Sequence, residues 1–345
     1  MKNLKIAKIQ QKLKDKKIDS LIINRTDEFL NEYIPADAER LYWATNFSGS
    51  AGRAIICQNS SNLFVDGRYT FQAKAQIDEN AISLLHWNDF STEISKHFEK
   101  NKCVALDPML HSIEEMNKIV ELAKEKETKL HFTSPNLIDE LWIDKPKRKY
   151  SVIFNHPINY AGIDASNKVD QFVKELKSNN LDSYFLSSLD SIAWLLNIRA
   201  DDILHTPLAF SYLFISVENK PILYLSIEKL NTDLKDRLSN FLNLQPIVEI
   251  ENIFKHLTTK LKVGFDYKNT SYFFYDLALG NDLVPSHLQN PCLIPKATKN
   301  ETEIEGSRKA HLRDGASITK FLYWLKNHQS VEEENEISVA NKLLS

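Results

Sequence analysis

Five places in the 345-residue chain bring together side chains that could do chemistry. Ser50 lies in SGSAG (residues 48–52), but a serine nucleophile elbow needs G-x-S-x-G, and the leading spacing is one residue short. Cys57 ends the apolar run Ala54–Cys57 and reads as an inert thiol. With Cys103 and Cys292 it matches no zinc spacing and no disulfide framework. His111, Glu114 and Glu115 could share a helix face, a pattern that belongs more to a solvated helix start, with acidic groups at the positive end, than to a metal site. Asp201, Asp202 and His205 read as turn and cap residues. Asp66 and Arg68, in DGRY, read as a carboxylate–guanidinium clamp across a turn. No HExxH or other ligand spacing occurs, so the expectation is a chain with no catalytic residue and no metal ligand of its own.

The elements that must position these groups centre on Leu41–Tyr69, which holds Gly49, Gly52 and Gly67 out of only 8 glycines in the chain. Glycines so concentrated mark backbone that needs a positive φ or a close approach. GSAG and DGRY are turn signals beside the apolar runs Ala54–Cys57 and Leu63–Val65, so the stretch reads as strand, turn, strand, turn, helix. Before it come an amphipathic helix over residues 3–17, with Leu4, Ile6, Ile9 and Leu13 on one side, a buried strand Ile18–Ile23, and a polar, acidic loop. After it come a helix Thr70–Ile77, a strand Ile82–His86, a helix Thr92–Lys100, a strand Val104–Asp107 and a helix Ile113–Lys124 capped by Ser112. Alternation of this kind is α/β.

Beyond a charged, solvated linker at Lys145–Tyr150 the pattern restarts. LKSNNLDSYFL repeats LKDKKIDSLII at an offset of 163 residues, IAWLLNI repeats LYWATNF at 151, and KVGFD repeats KCVALD at 159. Three matches in one order point to a duplicated α/β domain, with Trp43 and Trp194 as equivalent core residues. The second copy has no glycines where the first has SGSAG; it carries RADDILHTP instead, with Arg199 and His205 as surface candidates. A third segment opens with a long helical pattern from Thr302, read as its cap with Glu305 as capping-box partner, and a shorter helix follows. A formal net charge of −3 gives no basic excess for nucleic acid and no polybasic patch for a membrane. Apolar stretches such as Phe210–Val217 are too short to span one. The scattered cysteines suit a reduced, cytoplasmic setting.

ERLYWATNFSGSAGRAII, LFVDGRYTFQAKAQID, DSIAWLLNIRADDILHTPLAFSY and KNETEIEGSRKAHLRDGASITKFLYWL, in that order, resemble the Xaa-Pro aminopeptidases of the creatinase and prolidase "pita-bread" superfamily. The resemblance implies two creatinase-N-terminal-like domains, 1–147 and 148–296, each a mixed sheet flanked by helices. Residues 297–345 would then be the first helices of an incomplete catalytic domain. It also implies that the chemistry, two divalent metals (typically manganese) held by aspartates, a histidine and glutamates, belongs to a part of the family's fold beyond those helices. The implied substrate is a peptide with proline second, and the implied partners are a second copy of the chain or a separate catalytic polypeptide. On the same analogy Arg68 becomes a candidate contact for a peptide carboxylate or carbonyl, with Asp66 holding it in position. Ile318, Phe321, Leu322, Trp324 and Leu325 on the long helix have nothing after them to cover them, so the expectation is a polypeptide that continues or meets a partner. The alternative is a non-catalytic peptide-binding or dimerisation module, or an inactive remnant.

Overall fold

The computed structural model describes residues 2–255, 257–328 and 330–345. In chain order the first half contains α1 (Lys2–Lys16), β1 (Ser20–Asn24), α2 (Arg40–Thr45), β2 (Gly52–Cys57), β3 (Ser61–Val65), α3 (Thr70–Gln76), β4 (Ser83–His86), α4 (Phe90–Lys96), β5 (Cys103–Leu106), α5 (Ile113–Glu125), β6 (Lys129–Phe132) and α6 (Leu137–Leu141). The strands order as β4-β3-β2-β1-β5-β6, and only β2 runs against the rest. β1 is buried along its whole length, which is why Leu21, Ile22 and Ile23 in SLIIN run apolar without alternating. Alternate residues of the sheet serve two cores. Leu21, Ile23, Ala54 and Leu63 meet α1, α2, α3 and α6, whereas Ile22, Ile55, Phe64 and Val104 meet α4 and α5. On α1 the buried stripe is Ile6, Ile9 and Leu13; Leu4, expected on the same face, is exposed.

The second half contains β7 (Phe154–Asn155), α7 (Ile158–Ala161), α8 (Ala165–Ser178), β8 (Ser183–Leu186), α9 (Leu189–Leu196), β9 (Ile198–Arg199), β10 (Tyr212–Ser216), β11 (Ile222–Leu225), α10 (Thr232–Ser239), β12 (Asn243–Pro246), β13 (Lys262–Phe265), α11 (Tyr272–Gly280), β14 (Val284–His287) and α12 (Leu293–Ala297). Setting aside the β7–β9 ribbon, its sheet is β12-β11-β10-β8-β13-β14 with β10 antiparallel, the same topology as the first. Equivalence extends to single residues. Ser20 pairs with Cys57 and Val104, and Ser183 with Ser216 and Val263. Asp19 accepts from Cys103 N at 2.8 Å, and Asp182 accepts from Lys262 N at 2.8 Å. α2 and α9 both end on an asparagine in the left-handed conformation, Asn46 (φ 64°) and Asn197 (φ 53°), which asparagine tolerates better than most residues. The duplication read from the sequence is therefore carried by register as well as by pattern.

The two repeats meet through equivalent residues. Ser112 and Ser271, the N-caps of α5 and α11, form an antiparallel bridge. Ile113 N donates to Thr270 O at 3.0 Å and Tyr272 N donates to His111 O at 2.9 Å. Residues 111, 112 and 113 correspond to 270, 271 and 272, so exchanging the repeats maps one hydrogen bond onto the other. That is the pattern of a self-complementary, two-fold contact.

Three local readings are corrected. LYWAT is a helix, not a strand: α2 buries Leu41, Trp43 and Ala44 against the sheet. The β2–β3 hairpin turns at Gln58–Ser60, while GSAG leads into β2 and DGRY links β3 to α3. The linker is not simply solvated either. Arg148 donates from Nε to Asp37 at 2.8 Å and from Nη1 to Glu28 at 2.7 Å, with its side chain largely buried. A charged run hides one anchored member because its partners lie more than a hundred residues upstream.

The long helix α13 (Glu301–Asn327) and α14 (Glu336–Leu344) complete the described chain. The cap of α13 is Asn300, not Thr302: Asn300 Oδ1 accepts from Glu303 N, and Glu303 accepts from Asn300 N, each at 3.0 Å. The capping box sits two residues earlier than predicted because Asn300 also reaches back to Ala161 O at 2.9 Å, tying the helix start to the second repeat.

Candidate functional site

Because every strand of the first sheet except β2 runs the same way, the segments that follow β1, β3, β4 and β5 all emerge at one edge. GSAG, which enters β2, lies at that edge as well. The candidates Asp66, Arg68, Ser50, His111 and Glu115 are thus brought to one side of one sheet by topology, although the sequence scatters them over sixty-odd positions.

Asp66 and Arg68 make a closed clamp. Arg68 donates from Nε and Nη2 to the Asp66 carboxylate at 3.1 and 2.6 Å, and Asp66 also accepts from Arg68 N. The hydrogen bonds from Arg68 hold the Asp66 carboxyl below its usual range. The guanidinium is 70 % exposed and lies against the Tyr69 ring. It is held in place but open to solvent. Tyr69 packs edge-on against Phe47 and its hydroxyl lies 2.5 Å from Ser50 Oγ, which ties GSAG to DGRY. The glycines divide accordingly. A Cβ on Gly49 would stand 2.3 Å from the Phe47 ring and 2.7 Å from Tyr69, and one on Gly52 2.8 Å from Phe47, so both are close-approach positions. Gly67 faces open space and meets no such demand.

His111 is the largest departure from the sequence reading. It is not part of a solvated helix start: it precedes α5 and is buried. Its Nδ1 lies 3.0 Å from Asn24 Nδ2 and 3.3 Å from Glu115 Oε2. Arg53 Nη1 donates to the other Glu115 oxygen at 2.6 Å, and its guanidinium stacks against Trp87 and Phe90, each at 4.9 Å. Burial opposes charge on Glu115, but His111 and Arg53 outweigh it and hold the carboxyl at about 2. Glu114 points elsewhere, to Lys118 at 3.0 Å. This is a charge-paired wall rather than an acid–base pair: each carboxylate oxygen faces a nitrogen of Arg53 or His111, and the carboxyl stays ionised far below neutral pH.

The remaining candidates are structural. Asp202 accepts from Ser151 N, Ser151 Oγ and Phe210 N. Arg199 donates to Ala193 O and Ile198 O, each at 2.8 Å, and His205 occupies a left-handed turn position (φ 61°). Trp43 is buried against Trp142, whereas its equivalent Trp194 is half-buried beneath Lys168 Nζ at 4.3 Å. That buried lysine escaped the sequence reading. It donates to Trp194 O and Asn197 Oδ1, and burial pushes it down to about 8. Cys57 Sγ lies 3.5 Å from His97 Nδ1, an undetected pair, but burial raises the thiol and lowers the imidazole, which keeps both neutral. Among the described residues no three His, Cys, Asp or Glu side chains converge as a ligand set. The two-metal centre implied by the family resemblance does not fit these residues: the nearest approach to a donor set, His111 with Glu115, is already closed by Arg53 and Asn24.

Family models for the creatinase/prolidase N-terminal domain match residues 5–141 and, in a second version, 144–303. The chain belongs to the creatinase/prolidase family. Among curated relatives, a probable Xaa-Pro aminopeptidase P of Paracoccidioides brasiliensis is 31% identical over 98% of this chain, and that of Penicillium rubens is 33% identical over 98%. The chain spans 58% and 57% of those two proteins. A solved X-prolyl aminopeptidase from Caenorhabditis elegans, described as a cytosolic enzyme with a di-nuclear active site, superimposes with a TM-score of 0.89 at 25% identity, covering 98% of this chain and 58% of that one. The α/β fold and the two creatinase N-terminal domains are thus common to this family member and that structure.

Proposed function

We propose that this chain is the N-terminal part of a metal-dependent Xaa-Pro aminopeptidase, which removes an N-terminal residue that precedes proline. The observation that carries the reading is alignment over 98% of this chain with Xaa-Pro aminopeptidases of which it spans just under six-tenths. Two divalent metals, with manganese as the family's usual choice, would be held by residues outside those described here. No step of the reaction is assigned to this chain. The domain limits that go with this reading are 1–147, 148–296 and 297–345. The helices of the last segment support it: no described residue of α13 or α14 is buried, and Ile318 and Leu322 lie exposed on α13, a face suited to further protein.

Within this reading Arg68 contacts the peptide from the sheet edge and Asp66 fixes its guanidinium. A homodimer and a cytosolic setting belong to the same proposal. Among the described residues no helix is long and apolar enough to cross a membrane. The test is the native protein in its own cells, captured with an antibody to residues 1–150. The expected product is well above 39.8 kDa and cleaves a Xaa-Pro peptide in a manganese-dependent manner. In that protein Arg68→Ala raises KM and leaves kcat unchanged. A 39.8 kDa product without cleavage would favour the non-catalytic binding module instead.

A further inference from the structure

The two repeats share a topology, so each has the same special place: the carboxyl end of two adjacent parallel strands whose connections leave toward opposite faces. In the first repeat these strands are β1 and β5, followed by α2 on one face and α5 on the other. In the second they are β8 and β13. Open α/β sheets bind ligands at this switch point, because the diverging connections leave a crevice there.

The repeats treat it in opposite ways. In the second, the positions equivalent to Arg53, Trp87 and Glu115 are Tyr212, Ile247 and Phe274, and the space is packed with rings. Phe185 and Phe274 lie 4.3 Å apart and Tyr212 and Phe274 5.1 Å apart. Phe29, from the β1–α2 connection of the first repeat, closes the crevice by stacking on Tyr212 at 4.6 Å and Phe210 at 5.3 Å. The equivalent β8–α9 connection supplies no reciprocal plug, because Ser187 and Ser188 alone join the two elements. The first repeat therefore keeps an open cleft of about 320 Å³, lined by Asn24, Glu32, Arg53, Trp87, Glu115 and, from the second repeat, Lys268.

We propose that this cleft binds a short zwitterionic peptide of two or three residues. Its wall carries both charges in two forms. Arg53 and Glu115 neutralise each other against Trp87. Exposed Glu32 and Lys268 have no ion-pair partner among the described residues, and they receive the ligand's ammonium and carboxylate respectively. Asn24, 6 % exposed, lines the cleft with its amide oxygen unpartnered, and a buried acceptor left over in this way calls for an N–H donor such as a peptide supplies. The volume lies at the lower end of the range for small-ligand sites and suits two or three residues. The inference does not rest on the peptidase reading: it is argued from the cleft, the two exposed opposite charges on its rim and the unpartnered Asn24 oxygen.

Isothermal titration of the 345-residue chain with Ala-Ala tests it. One site per chain is expected, with binding weakened at least tenfold for N-acetyl-Ala-Ala and for Ala-Ala amide. Glu32→Gln and Lys268→Gln, both on exposed side chains that support nothing else, are each expected to weaken Ala-Ala by at least tenfold, whereas Lys177→Gln leaves it unchanged. Absence of binding to 10 mM overturns the proposal. So does binding that is indifferent to both end-blocking groups or to both cleft variants. Because no cleavage is read, failure here leaves the peptidase reading standing, and loss of that reading leaves this one standing.

Discussion

One fold appears twice in this molecule, and the two copies differ at the same spot. At the switch point of the first repeat stand Asn24, Arg53 and Glu115, two of them charged; at that of the second stand Ser187, Tyr212 and Phe274. The first is an open, polar cleft and the second an aromatic core sealed by Phe29. Duplicated domains need only one of each feature. One copy holds the crevice that its topology creates, and the other fills it with rings on which Phe29 of the first copy sits. Backbone plan sets where a crevice forms, and side chains decide whether it stays one.

If the second repeat's switch point is core, truncating it is the most damaging change. Phe274→Ala, at a fully buried ring touching Phe185 and Tyr212, is expected to cost about 3–5 kcal/mol in urea unfolding. A loss below about 1 kcal/mol would mean that the site is not packed as described. Next comes the strap between the repeats. Arg148→Met leaves Asp37 and Glu28 facing each other without their cation, at an expected cost of about 3 kcal/mol, and the loss shrinks when Asp37→Asn is added.

At the position equivalent to Phe274, Glu115 offers a test by pH. Its carboxyl is held at about 2 in the folded chain, below its unfolded value near 4.5. Its contribution is therefore complete above that unfolded value and is lost as pH falls from there toward 2. Glu115→Gln is expected to cost on the order of 2 kcal/mol at pH 7, with the gap to wild type closing at acid pH. Asp27, in the connection that carries Phe29, runs the other way: burial raises it to about 6, so its contribution weakens as pH climbs from about 4 through 6. A gap for Glu115→Gln that does not change with pH would remove the charge-paired wall from the comparison. The smallest effects separate the glycines. Gly49→Ala must displace the Phe47 ring and is expected to cost about 1–3 kcal/mol, whereas Gly67→Ala, in open space, changes stability by less than about 1 kcal/mol.

The duplication was legible because strands buried on both faces carry apolar runs such as LII and YFL, and because Asp19 and Asp182 do the same local work ahead of them. The α/β alternation and the Ser112 cap were legible for similarly local reasons. Other features turn on partners distant in sequence. LYWAT carries strand-forming residues, and only the sheet beneath it makes α2 a helix. Phe29 is one apolar residue in an acidic loop, and nothing near it reveals that it packs on Tyr212. Arg148 and Lys168 look like solvated cations until their acceptors are seen. The cleft draws on residues 24, 32, 53, 87, 115 and 268, a set assembled by the order of strands in the first sheet and by the docking of the second repeat against it. DGRY and GSAG lie along the same edge of the sheet as that set.

The first switch point is an open cleft, whereas the second is packed shut. Hydrogen–deuterium exchange of the full chain, with and without saturating Ala-Ala, reads both at once. Protection is expected in residues 24–32, 50–53 and 110–116, with no change in 185–188, 210–214 and 270–275. Equal protection in both repeats, or protection confined to the second, would contradict it.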